Sequence, residues 1–298
     1  MGRKKGSTLT ERARTTVPGF DSMYKKLEQK VKLSGLSAST LINYGRSMAK
    51  ISLHFGKTPL DLEDDTINEY LLEVKAGEQP SESYFKHTVY GLRYLFRLFG
   101  REDRAIQLPP LRRKSQLPVV LSRAECKRLF RAPKMLKHRV LLALVYSAGL
   151  RLSELIALRL EDVDSGRMQI RIRQGKGNKD RYVVLSSLAL QGLRKYYLAC
   201  HPKAYLFNGQ VKGKPMGKRS VQWIMRSAVR QAGIKKQASL HTLRHSFATH
   251  LIEDGVDIFT VKEQLGHAHI ETTLRYIHIA RNIKRTDVHS PLDTLYQS

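Results

Sequence analysis

The sequence predicts a mainly α-helical protein with one small β-sheet, divided into a helical N-terminal domain and an α+β C-terminal domain. Three observations carry this. Apolar residues recur at helical spacing over residues 20–100. A basic, proline-rich break, Leu108-Pro-Pro-Leu-Arg-Arg-Lys114 followed by Pro118, then interrupts the pattern. Beyond it the period drops to two at Met168-Gln-Ile-Arg-Ile-Arg-Gln174, the signature of a half-buried strand, before helices resume.

Residues 1–20 read as a disordered basic arm, because MGRKKGSTLTERARTT is charged and lacks an apolar core; the same lack excludes a secretory signal. Residues 21–103 read as a helical bundle. A short helix near Asp21–Leu33 comes first. Ser37 can cap a second, from about Ser39 to Phe55, with Leu41, Tyr44, Met48, Ile51 and Phe55 on one stripe. Asp64 or Asp65 can cap a third, with Ile67, Tyr70, Leu71 and Val74 inward, and Ser81 a fourth, with Tyr84, Val89, Leu92, Leu95, Phe96 and Phe99 on its apolar face. Residues 104–119 read as an interdomain linker. The second domain, 120–281, opens with Ser122 capping Arg123–Arg131, and the helical pattern runs through Val163. The period-2 stretch, the turn Gly175-Lys-Gly-Asn-Lys-Asp180 and the apolar Arg181–Leu185 make a β-hairpin. Helices follow at Lys218–Ala232, Thr242–Asp254 and Ile258–Gln264, and residues 282–298 form a tail.

Charge points to the partner. The chain of 298 residues carries 53 Lys+Arg against 26 Asp+Glu, a net charge of +27 spread along its whole length. Such an excess attracts polyanions, nucleic acid ahead of an anionic membrane surface. Two cysteines, Cys126 and Cys200, exclude a disulfide framework or a cysteine zinc site. No apolar run approaches the ~20 residues that span a bilayer.

Several residues stand where chemistry can be done. Arg151 follows Gly149-Leu150, with Glu154 placed to orient its guanidinium. Lys176 sits in the hairpin turn, with Lys179 nearby. In Ser239-Leu-His-Thr-Leu-Arg244, His241 and Arg244 share a helix face while Leu240, Leu243, Phe247 and Leu251 pack inward. Gly266 suits the left-handed end of a helix, so His267 projects from a turn. Tyr276 follows in Thr272-Thr-Leu-Arg-Tyr276. Zinc at His241, His245 and His250 is disfavoured, since the spacing is irregular and no acidic residue stands where a zinc-protease helix places one. Together, two arginines, a lysine, two histidines and a tyrosine suit metal-free transesterification at a phosphodiester. Guanidinium forks match the charge of the transition state, a phenol is the nucleophile, and an ammonium can protonate the leaving oxygen.

Four stretches resemble the tyrosine recombinase (phage integrase) family, its Xer-like and integron-integrase-like members above all. They are VLSRAECKRLF (120–130), AGLRLSELIALRLEDVD (148–164), GKGNKDRYVVL (175–185) and LHTLRHSFATHLIEDGVDIFTVKEQLGHAHIETTLRYIH (240–278). The resemblance covers roughly residues 118–280; the helical N-terminal part is similar more loosely, to the family's SAM-like core-binding domain. It implies that Arg151 and Arg244 clamp the scissile phosphate, supported by Glu154. Lys176 would protonate the leaving 5′-oxygen, with Lys179 as the alternative. His241 would act as general base or phosphate ligand, and His267 would bind the phosphate. Tyr276 would attack, giving a 3′-phosphotyrosyl bond. It further implies a C-shaped clamp around double-stranded DNA, an inverted-repeat site, and a homotetramer on two duplexes that passes through a Holliday junction. The tail would dock on a neighbouring protomer, and an accessory or directionality protein is a further class of partner. No cofactor, metal or membrane is called for, and the expected setting is the cytoplasm, on the nucleoid.

Helix surfaces with Arg46 and Lys50, and with Arg219 and Arg226, are the candidates for DNA contact. Integration or excision of a mobile element is the expected process. Type IB topoisomerase-like relaxation and a non-catalytic DNA-binding role share parts of the pattern. The two-domain layout and the tail favour recombination over the first. The intact cationic set with a phenol argues against the second.

Overall fold

In the computed structural model, which describes residues 8–76, 82–109, 117–173 and 180–280, the chain divides into two units between Lys114 and Ser115. That division falls inside the stretch read as a linker.

Among the described residues the first unit holds six helices: α1 (Leu9–Thr16), α2 (Phe20–Leu33), α3 (Ala38–Phe55), α4 (Asp64–Ala76), α5 (Glu82–Leu98) and α6 (Glu102–Gln107). The expectation of a disordered arm over 1–20 is corrected from Leu9 onward. Thr8 and Glu11 form a reciprocal capping box, and the helix it starts buries Ala13 and Val17 beside Phe20 in the common core. Ser37 caps α3 as its spacing predicts, accepting from the Thr40 amide. Mid-helix Gly45 has a packing reason, because a Cβ there would lie 2.6 Å from the Tyr24 ring. The linker expectation is corrected at its start. Arg104 is buried, donates to Asp64 Oδ1 at 2.5 Å and to Leu62 O at 2.6 Å, and lies over the Phe96 ring. Residues 104–108 therefore belong to the bundle.

The second unit begins with α7 (Arg123–Arg131), capped by a Ser122–Glu125 box, and α8 (Leu136–Ser147). Helix α8 is the central element. Leu141, Leu142, Leu144 and Val145 are fully buried, and α7 packs around them with two later helices, Ser187–Cys200 and Leu240–Glu253. Then come α9 (Leu152–Ala157), a 3-10 turn, and strands β1 (Val163–Asp164), β2 (Gln169–Ile172) and β3 (Arg181–Val184). The strands form an antiparallel sheet in the order β1-β2-β3, with Ile170 opposite Val183 and Ile172 opposite Arg181. Ile170 and Ile172 face the core while Gln169 and Arg171 face out, as the alternation predicts. Val163, expected to end a helical stretch, instead opens β1; its pairing with Ile170 decides this.

Among the described residues, β3 is followed by the helices α10 (Ser187–Cys200), α11 (Lys218–Gln231), α12 (Leu240–Glu253) and α13 (Ile258–Leu265). The short α14 (Glu271–Leu274) is the last element among the described residues. Among the described residues no helix is long and apolar enough to cross a membrane.

Candidate active site

The end of helix α13 organises the site. Gly266 adopts φ +61°, the left-handed conformation that reverses the chain there. The last carbonyls of a helix have no partner within it and carry the negative end of its dipole. Here three successive ones each meet a guanidinium. Gln264 O accepts from Arg181 Nε at 3.2 Å, Leu265 O from Arg244 at 2.6 Å and Gly266 O from Arg151 at 3.0 Å.

Glu154 supplies the counter-charge. It is buried in the first turn of α9 and accepts four bonds: from the Arg151 amide at 2.8 Å, the Arg151 guanidinium at 2.7 Å, and both terminal nitrogens of Arg181 at 2.9 Å. Burial alone would raise its pKa. The Arg181 fork, the Arg151 amide and the Arg181 charge outweigh that and hold the carboxyl down at about 2. Arg244, almost fully buried, also donates to Gly149 O at 2.6 Å. Burial and the Arg151 charge lower its pKa to about 10, still well above neutrality. Gly149, at φ +58°, permits this, since a Cβ there would lie 2.6 Å from the Phe247 ring. The result is a rigid cationic wall in which three arginines share one carboxylate.

Tyr276 faces that wall. Arg151, Arg244, His241, His245, His267, Arg275 and Tyr276 line one cleft of about 530 Å³. Tyr276 is only 3% exposed, packed with Phe247, Val261 and Leu265 in a small core of its own. Burial raises its pKa, opposed by the charges of Arg244, Arg275 and Arg151. Its hydroxyl shares a 2.8 Å hydrogen bond with His245 Nδ1. His267 is fixed by a 2.9 Å bond from Nδ1 to Thr273 Oγ1, and its ring stacks near Tyr276 with 6.4 Å between centroids. The exposed His241 ring lies 6.4 Å from that of His245. Partial desolvation inside the cleft, with the charges of Arg244 and Arg151, lowers the His241 pKa.

The structure thus brings together Arg151, His241, Arg244, His267 and Tyr276, with Glu154 behind them. Lys176 and Lys179 lie outside the described residues. Arg46 and Lys50 are exposed on α3, Lys50 with its ammonium 4.4 Å from the Tyr84 ring centre; Arg219 and Arg226 are exposed on α11. Among the described residues no group of His, Cys, Asp and Glu is placed to hold a metal.

Sequence reasoning missed two residues. Arg181 was read only as the start of a strand, and nothing local marks a partner 27 residues away. His245 was weighed only as a metal ligand, although it stands one turn after His241 on the same helix face, which was the available signal.

Residues 119–282 match the phage integrase family. A Sinorhizobium fredii protein named as an integrase/recombinase is 33% identical over 297 residues, covering 99% of this chain and 95% of that one. The tyrosine recombinase XerD of Corynebacterium glutamicum is 34% identical over 277 residues, covering 84% and 91%. In fold, the chain is similar to the XerH site-specific recombinase in its pre-cleavage complex with difH DNA, at a TM-score of 0.68 and 20% identity over 97% and 93% of the two chains. This chain belongs to the phage integrase family of tyrosine recombinases.

Proposed function

We propose that the chain cuts and rejoins DNA strands at a specific site through a 3′-phosphotyrosyl intermediate on Tyr276. The observation that carries this is the convergence of Arg151, Arg244, His241, His267 and the phenol of Tyr276 on one cleft. A phosphodiester seated there meets two guanidinia already held by carbonyls and by Glu154. They lose little freedom on binding and face the oxygens where charge develops. The phenol oxygen attacks phosphorus, the bond to the 5′-oxygen breaks, and Lys176 protonates that oxygen, with Lys179 as its alternative. The phosphotyrosyl bond keeps the energy of the phosphodiester, so rejoining needs no nucleotide cofactor.

Two strand exchanges on paired duplexes would pass through a Holliday junction in a homotetramer, with residues 282–298 docking on a neighbouring protomer. Exposed Arg219 and Arg226, with exposed Trp223 between them on α11, and Arg46 and Lys50 on α3 would contact the DNA. Integration or excision of a mobile element on the nucleoid is the process this serves. An accessory protein would set direction.

A nicked half-site duplex, taken from inverted repeats flanking the gene, tests the reading. The 5′ fragment diffuses away and traps a covalent adduct. Tyr276→Phe should abolish the adduct and leave DNA affinity unchanged; an adduct that persists assigns the nucleophile to another residue. Relaxation of supercoiled DNA lacking any such repeat would favour a topoisomerase instead.

A further inference from the structure

The resemblance makes His241 a general base or a phosphate ligand, yet the group bonded to the Tyr276 hydroxyl is His245. A phenol can donate or accept; the burial that lowers the His245 pKa favours the neutral ring, and in its Nε2-protonated tautomer Nδ1 accepts the phenol hydrogen. The hydrogen of the phenol is thereby turned toward α12, leaving the oxygen's lone pairs free for phosphorus. His267, the other ring beside Tyr276, lies nearly parallel to it at 15°, a stacking geometry, and its Nδ1 is engaged by Thr273. Among the described residues no hydrogen bond joins His241 to Tyr276.

We propose that His245 is a catalytic residue that aims the Tyr276 phenol and takes its proton as the phenol attacks. This rests on the reading of Tyr276 as nucleophile. In the step, the bond from Tyr276 Oη to phosphorus forms, the Oη proton passes to His245 Nδ1, the P–O5′ bond breaks, and the general acid assigned to Lys176 protonates O5′. Rejoining runs in reverse. The 5′-hydroxyl attacks, its proton returns to the acid, and His245 gives the proton back to the departing phenolate.

The same surroundings set how strong a base His245 is without DNA. His245 is faced by His241 and Arg244 on its own helix and by Arg275 and Tyr276 on the other side. Burial first, then His241, Arg244 and Arg275, push its pKa down to about 4, so without DNA it is a poor base. A phosphodiester brings negative charge to the same cations. It relieves the field on His245 and raises its proton affinity only when the substrate is in place.

The test compares His245→Leu, which has no acceptor, with His245→Asn, which offers an acceptor oxygen near the position of Nδ1 but cannot take a proton. Both are assayed in the full chain on the nicked half-site duplex, once with a normal scissile phosphate and once with sulfur in place of the bridging 5′-oxygen. Single-turnover adduct formation at saturating DNA is read, with DNA affinity and circular dichroism alongside. A base contributes roughly 10²–10⁴-fold, so His245→Leu should slow the step by about that factor at unchanged affinity, with His245→Asn between it and the wild type. Sulfur leaves without a proton, so it should rescue Lys176→Ala and rescue neither His245 variant.

Rates within about threefold of wild type for both variants, a faster reaction in either, or rescue of either by sulfur overturns the assignment. An adduct surviving Tyr276→Phe overturns the nucleophile reading itself, a separate result.

Discussion

Replacing Glu154 by alanine removes the one carboxylate among three partly or fully buried arginines. Two routes give the size of the effect. Holding a carboxyl at about 2 against its ordinary 4.5 corresponds to about 3 kcal/mol of stability at neutral pH. Removing one partner of a buried ion pair costs roughly 3–5 kcal/mol, because the remaining charge is left uncompensated. The agreement sets the expectation at about 3–5 kcal/mol for Glu154→Ala. For a unit of this size, with Tm moving roughly 2–4 °C per kcal/mol, the transition of the second unit should fall by on the order of 10 °C. Calorimetry of the full chain can follow it. Adduct formation should fall as well, because the Arg151 fork loses the oxygen that orients it.

The pH dependence has a definite sign. The folded pKa lies below the unfolded one, so the contribution is complete above about 4.5 and is lost as pH falls toward about 2. The stability gap between wild type and Glu154→Gln should be constant from pH 8 to pH 5 and close below that. A loss under about 1 kcal/mol at pH 7, or a gap that does not narrow in acid, would refute the argument that this carboxylate holds the arginines by charge.

Three further outcomes are expected. Gly266→Ala places a Cβ 2.9 Å from the side chain of Arg181 at φ +61°; it should cost about 1–3 kcal/mol by denaturant titration and slow adduct formation, because the adjoining carbonyls hold the arginines. His245 has a folded pKa near 4 against 6.5, so its neutral form stabilises the fold above pH 6.5 and that contribution is lost as pH falls toward 4. His245→Asn should remove this part of the acid sensitivity, and an unchanged acid profile would speak against the buried neutral ring. Arg219→Ala and Arg226→Ala should each lower the slope of log K against log salt by roughly one, and a slope unaffected by both places α11 away from the phosphates.

Some features were legible because they are local. Ser37 and Ser122 begin helices through bonds that span three residues, and the strand β2 shows its two faces in four consecutive residues. Gly266 marks a helix end by its own backbone freedom. Other local signals were present and outweighed. Thr8-Leu-Thr-Glu11 is a capping box, but the basic composition around it drew the reading toward a disordered arm. Arg104 looked like a solvated linker charge, because a buried arginine is recognisable only from Asp64 and the Leu62 carbonyl, some forty residues earlier in the chain.

The same division runs through the active site. The sequence by itself determined the residue types, the order of Arg151, His241, Arg244, His267 and Tyr276, and the helix face that His241 and Arg244 share. It did so because motif spacing and helical period are properties of neighbours along the chain. Only the tertiary structure decided how those charges are held and which histidine holds the phenol. Arg181 on β3 reaches Glu154 on α9, and the end of α13 supplies carbonyls to arginines 83, 21 and 115 positions away. His245 meets Tyr276 across 31 residues. Such contacts are created when helices pack, and side-chain reach across a packed interface leaves no period in the sequence.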